Sequence, residues 1–218
     1  MYFRVILILI SGFFLLLGCG KDYKEYRKDN TIVIAITSEP KRLNPVFLTD
    51  FVSYSISGLI FNGLTKFDKD MNIVGDLADS WDVLKGGREI IFHLKKGVLW
   101  HDGVELTSED IVFTYQTLIS PTTESPLSSQ LGPIKNVKSI DKYTVSITYF
   151  EPYGSVLESL TIGIIPKHVL RDKDINKTFF DDSPIGTGPY KLKEWIHGQR
   201  LSLEAFGDYY GGCPEIRN

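Results

Sequence analysis

A mixed α/β fold is predicted by three local patterns. Tyr143, Val145, Ile147 and Tyr149 alternate strictly with Thr144, Ser146 and Thr148, the period of a half-buried strand. Val52, Ile56, Leu59 and Ile60 share one face at helical spacing. Thr107 and Asp110 form a capping box ahead of a second helical face made by Ile111, Tyr115 and Leu118.

The remaining elements follow in chain order. Thr31–Ile36 is a β-branched run that reads as a buried strand, and Pro40 and Pro45 then force an extended loop. Asp50 is placed to cap the first helix, and Asn62-Gly63 is expected to stop it in a left-handed conformation. Strands are expected over 64–67, 81–84 and 89–94, the last two joined by a turn at Lys85-Gly86-Gly87-Arg88. Pro121 ends the second helix, and residues 121–133, with three prolines, read as an ordered loop over the surface. Residues 171–183 are polar and loop-like, and residues 191–196 and 200–206 flank His197-Gly198 as a closing hairpin. Trp81, Trp100 and Trp195 lie beside alternating apolar residues and read as core anchors, with a ligand platform as the alternative.

The amino terminus sets the compartment. Arg4 precedes the uncharged, mostly apolar run Val5–Leu17, and Leu16-Leu17-Gly18 leads directly to Cys19. This run is too short to span a bilayer comfortably, ends at a small residue and is followed by a thiol, the arrangement of a bacterial lipoprotein signal. Residues 1–18 are therefore expected to be a cleaved signal peptide, Cys19 the lipidation site, and the polar residues 19–30 a tether. An uncleaved membrane anchor is the alternative, and both readings place the body outside the cytoplasm. If Cys19 carries lipid, no intrachain disulfide is expected, because the chain has 2 cysteines.

Composition and motif spacing exclude several functions. The 218-residue chain carries a net charge of −3, which does not suit a nucleic-acid binder. Its 11 Tyr and 13 Phe suit a packed globular protein rather than a disordered stalk. His93, His101, His168 and His197 are scattered without the ligand spacing of a metal site, so neither a metal nor another cofactor is expected. His101-Asp102-Gly103 reads as a tight turn rather than a catalytic dyad. Gly186-Thr187-Gly188-Pro189 lacks the Lys and Ser/Thr that hold phosphate, and reads as a bend before a strand. No nucleophile elbow is present, and no enzyme activity is expected.

A set of ordered fragments carries a family resemblance. They are Glu39-Pro40 through Leu43-Asn44-Pro45, Ile60-Phe61-Asn62-Gly63-Leu64, Leu77-Ala78-Asp79-Ser80-Trp81, Phe92-His93-Leu94-Lys95-Lys96-Gly97-Val98, Trp100-His101-Asp102-Gly103 and Thr107-Ser108-Glu109-Asp110-Ile111-Val112-Phe113. Ile165-Pro166-Lys167-His168, Pro184-Ile185-Gly186-Thr187-Gly188-Pro189-Tyr190 and Tyr209-Tyr210-Gly211-Gly212 continue the series. Together they resemble the extracellular solute-binding family 5, the substrate-binding lipoproteins of peptide and nickel ABC importers.

The resemblance implies a periplasmic-binding-protein-like clamp of type II, with two lobes that close on a ligand. Relatives are more than twice as long, so the chain is expected to be the amino-terminal lobe, residues 31–218, with an inserted subdomain over roughly 62–184 and the second lobe absent. In the family an extended peptide is held as an added strand while roomy pockets accept its side chains. By position, ligand contact is assigned to Thr49, Asp50 and Phe51, and to Leu127, where some relatives place an aromatic contact. For Asp50, helix capping competes with ligand contact for one carboxylate. The implied partners are an oligopeptide or similar solute, ABC permease subunits, and a membrane reached through lipid on Cys19. Nickel chelates and oligosaccharides are alternative solutes, and a gene fragment without transport role is the rival reading.

Overall fold

The computed structural model describes residues 30–218. The Val5–Leu17 run, Cys19 and the tether before Asn30 lie outside the described residues. Of the described residues, 30–34 together with 215–218 belong to one unit, and residues 35–214 make a second. In the first unit the Arg217 amide donates to the Asn30 carbonyl at 2.8 Å, and the Ile32 amide to the Asn218 carbonyl at 3.0 Å.

The buried strand expected over Thr31–Ile36 does not form. The segment belongs to no strand and is open to solvent, with Ile32 57%, Val33 68% and Ile34 76% exposed. β-Branched residues favour extended backbone, but a strand also requires a ladder partner, and no described strand pairs with this one.

The second unit is built on a four-stranded antiparallel sheet in the order β3-β4-β6-β5, formed by Ala78–Leu84, Glu89–Leu94, Thr144–Tyr149 and Ile134–Asp141. Ile90, Phe92, Leu94, Val145, Ile147 and Tyr149 point to its inner face and are buried. Helix α2, Ser108–Ile119, lies on that core through Ile111, Tyr115 and Leu118, all 0% exposed. Its capping box forms as expected, with the Asp110 carboxylate accepting from the Thr107 amide at 2.9 Å. Two hairpins complete the sheets: β1, Thr65–Phe67, with β2, Ile73–Gly75, and β7, Tyr190–Ile196, with β8, Arg200–Ala205. Helix α1 spans Phe51–Ile60, and the one-turn helices α3, Val156–Ser159, and α4, Lys167–Leu170, follow β6.

Helix α1 departs from expectation in which face it buries. Ser53, Ser57 and Ile60 point inward, Val52 and Ile56 are half-buried, and Leu59 is 40% exposed. The serines face inward because the extended segment crossing the helix needs partners for its backbone. Ser53 Oγ accepts from the Lys41 amide at 2.9 Å, and Ser57 Oγ donates to the Leu43 carbonyl at 3.0 Å. Buried polar groups are tolerated when paired in this way.

The helix also ends differently. Phe61 closes it in an extended conformation, with φ −121°, and Gly63 is not left-handed. Gly63 is required for space instead, since a Cβ there would lie 2.7 Å from the Thr161 carbonyl carbon. Residues 121–133 are likewise more than a surface loop. Leu127 and Leu131 are 2% and 0% exposed, and the Ser125 hydroxyl donates to the Val46 carbonyl at 2.6 Å.

Candidate ligand-contact surface

Residues 39–51 are fixed from both sides before they reach the surface. Asp181 accepts from the Leu43 and Asn44 amides at 2.6 and 2.7 Å and pairs with Arg42. Asn44 then caps the short 3-10 turn Pro45–Phe47, which is buried. The chain emerges at Thr49, which is exposed, and Asp50 starts α1.

Asp50 is committed to the helix. One carboxylate oxygen accepts from the Ser53 amide at 2.9 Å and the other from the Ser53 hydroxyl at 2.6 Å. Partial burial pushes its pKa up, but the two Ser53 hydrogen bonds and the Lys41 backbone outweigh that and hold it below the usual carboxylate range. Ser53 thus links the cap to the Lys41 and Arg42 amides. Of the two roles open to Asp50, capping and ligand contact, capping is present in the geometry.

Phe51 is 84% exposed, and Tyr54 and Leu59, on the same outward side of α1, are 42% and 40% exposed. An outward apolar face opposite two inward serines is the reverse of an ordinary surface helix. The sequence carries a signal for it in the i, i+4 pair Ser53 and Ser57, beside Phe51 and Tyr54 at i, i+3. Leu127 does not join this surface, because it packs in the hydrophobic core.

Most of the recognised fragments serve to lock the lobe together. His101 Nδ1 accepts from the Gly186 amide at 3.1 Å, so the ring proton sits on Nε2, which donates to the Gly188 carbonyl at 3.1 Å. That glycine segment wraps the end of α1, with the Gly188 amide donating to the Ile60 carbonyl at 2.8 Å. A Cβ on Gly186 would sit 1.9 Å from the same carbonyl oxygen, so no side chain fits there. Burial lowers the His101 pKa to about 4, which keeps the ring neutral.

The neighbouring fragments connect in the same manner. His168 Nε2 lies 2.8 Å from Asp102, the Lys167 amide donates to Asp110 at 3.0 Å, and the Ile165 amide donates to Thr114 at 3.0 Å. Asp76, 3% exposed, accepts from Asn62 at 2.8 Å and from the Tyr210 hydroxyl at 2.7 Å, and pairs with Lys66 at 3.0 Å. Burial first, and Asp76 second, raise the Tyr210 pKa. Trp100 is fully buried, as a core anchor should be, whereas Trp195 is half-buried and donates to Glu39 at 2.8 Å. Among the described residues, no cluster of His, Cys, Asp and Glu could hold a metal ion, and no helix is long and apolar enough to cross a membrane.

Comparison with known proteins accounts for this architecture. Residues 72–218 match the family described as bacterial extracellular solute-binding proteins, family 5 Middle. The oligopeptide-binding protein AppA of Bacillus subtilis is 36% identical over 193 residues, covering 85% of this chain and 35% of its own length. Its structure in complex with a nonapeptide superposes with a TM-score of 0.79 at 36% identity, over 82% of this chain and 37% of that one. NikZ from Campylobacter jejuni, solved in complex with Ni(L-His), superposes with a TM-score of 0.82 at 36% identity, over 87% of this chain and 38% of that one. The chain thus spans about a third of the length of AppA, 35% by sequence. With a mixed α/β architecture that superposes on solute-binding proteins and a family match over most of its described residues, the chain belongs to the bacterial extracellular solute-binding proteins of family 5.

Proposed function

We propose that this chain is the amino-terminal lobe of a peptide-capturing component of an ABC importer. The observation that carries the reading is the outward face of α1, where Phe51 is 84% exposed next to Thr49 in a chain 36% identical to an oligopeptide-binding protein. An exposed aromatic beside free backbone at a helix start suits a ligand that is gripped by main-chain hydrogen bonds and apolar pockets together. Thr49 and Phe51 form the contact surface, and Asp50 holds it in place through the cap. The chain performs no chemistry; it captures solute and delivers it to permease subunits. Lipid on Cys19 would keep it on the outer face of the membrane, where high local concentration offsets modest affinity.

Capture by this lobe requires a second one. Closure is favourable only through contacts made by both lobes, and each 1.4 kcal/mol or so lost lowers affinity tenfold. Calorimetry against a mixed peptide library should therefore give little heat with the full chain alone. A fusion in which the chain replaces the matching part of AppA should bind at about micromolar Kd. Micromolar binding by the chain alone would show that the second lobe is dispensable. The superposition on NikZ supports a second reading, a nickel chelate as solute. Saturable heat with Ni(L-His) and none with peptides would select it.

A further inference from the structure

The solvent face of the four-stranded sheet carries a basic groove lined by none of the residues assigned to solute contact. It is open, about 510 Å³ in volume, and bordered by Lys85, Arg88, Lys135 and Lys138. Ser146 and Thr148 line its floor from β6. Its acid, Glu89, is already engaged by Lys85 at 2.7 Å and by the Ser146 hydroxyl at 2.9 Å. Arg88, Lys135 and Lys138 are exposed and have no carboxylate within ion-pairing distance among the described residues. Three uncompensated cations therefore gather on one face of a chain whose net charge is −3.

Apolar side chains project beside them. Phe150 is 67% exposed, with the Lys135 ammonium 5.8 Å from its ring centre, and Leu84, paired in register with Glu89, is 40% exposed. A recessed pocket would suit a small anion that is enclosed on all sides. Cations on an open sheet face with an aromatic ring standing proud suit a plane of negative headgroups, into whose boundary the ring can enter.

We propose that this face rests on an anionic phospholipid surface, with Arg88, Lys135 and Lys138 on headgroup phosphates and Phe150 at the interface. Such a contact would orient the lobe on its membrane, and it shares no residue with the solute surface at Thr49 and Phe51. It is independent of which solute is captured.

Amide hydrogen exchange of the full chain tests it. With nanodiscs containing about one-third phosphatidylglycerol, residues 84–88 and 149–151 should exchange roughly threefold or more slowly than with pure phosphatidylcholine discs. The difference should vanish in the double variant Lys135→Glu with Lys138→Glu, and shrink with Gln at both positions, which keeps the surface neutral if reversal perturbs folding. High salt should also remove it. Equal exchange on both discs, or protection that survives charge reversal, would overturn the proposal. Protection by soluble polyglutamate but not by anionic discs would overturn it in favour of an acidic protein partner.

Discussion

Replacing Asp76 by Ala should destabilise the protein by about 3 kcal/mol, the cost expected when one member of a buried ionic network is removed. The side chain is 3% exposed and ties three separate parts of the chain: Asn62 after α1, Lys66 in β1 and Tyr210 beyond β8. Alanine leaves the Asn62 amide and the Tyr210 hydroxyl without their acceptor at a buried site, and each unmet donor costs about 1–3 kcal/mol. Lys66 adds less, because its side chain is 50% exposed and can turn to solvent. Asp76→Asn retains an acceptor and should cost about half as much. Urea unfolding reads both effects as a lower midpoint at constant slope; a shift below about 1 kcal/mol for Asp76→Ala would mean that the network holds little of the fold.

Mild acid should weaken the fold through His101. Its pKa is about 4 in the folded protein against about 6.5 unfolded, so the folded state prefers the neutral ring. The contribution is fully present above pH 6.5 or so and is lost as pH falls toward 4, about 3 kcal/mol in all. About 2 kcal/mol of that goes between pH 7 and 5, before most carboxylates titrate. The main cause is burial, which disfavours the charged ring; in addition, a second ring proton would point from Nδ1 at the Gly186 amide. The segment that His101 holds is packed against the end of α1, so its release should loosen the helix that presents Phe51. Denaturant titrations at pH 7 and 5 should show the loss in the wild type and a much smaller pH dependence in His101→Asn. Equal slopes in the two proteins would assign the acid sensitivity elsewhere.

These locks explain which parts of the fold were legible in the sequence. Helix α2 and strands β4, β6 and β7 announce themselves through caps and periods that lie within a few residues of one another. Strand β5 does not: its apolar residues Ile134, Val137 and Ile140 fall three apart, and register shifts at Ile134/Asn136 and Ser139/Asp141 let that spacing serve a strand. The extent of α1 is readable, but its buried face is only hinted at by the i, i+4 pair Ser53 and Ser57, because the partners that turn them inward, Lys41, Arg42 and Leu43, come from a segment outside the helix. The Thr31–Ile36 run shows the converse. Its composition is that of a strand, and composition cannot supply the neighbour that a strand needs.

The candidate surface divides in the same way. The family resemblance assigns Thr49, Asp50 and Phe51 by position, and the geometry distinguishes them: the Asp50 oxygens are both taken by Ser53, while Phe51 stands in solvent. Leu127, assigned in the same way, fills the core, because the loop that carries it folds under the Pro45–Phe47 turn. Sequence position could not reveal that direction.

The most direct test of solute capture at α1 uses the fusion that completes the clamp with the rest of AppA. Phe51→Ala should weaken peptide binding in that protein about tenfold or more, as expected for an aromatic anchor at the ligand surface. Its unfolding midpoint should stay unchanged, since Phe51 is 84% exposed. Peptide affinity equal to that of the unsubstituted fusion would contradict the assignment of this face as the place where the lobe meets its solute.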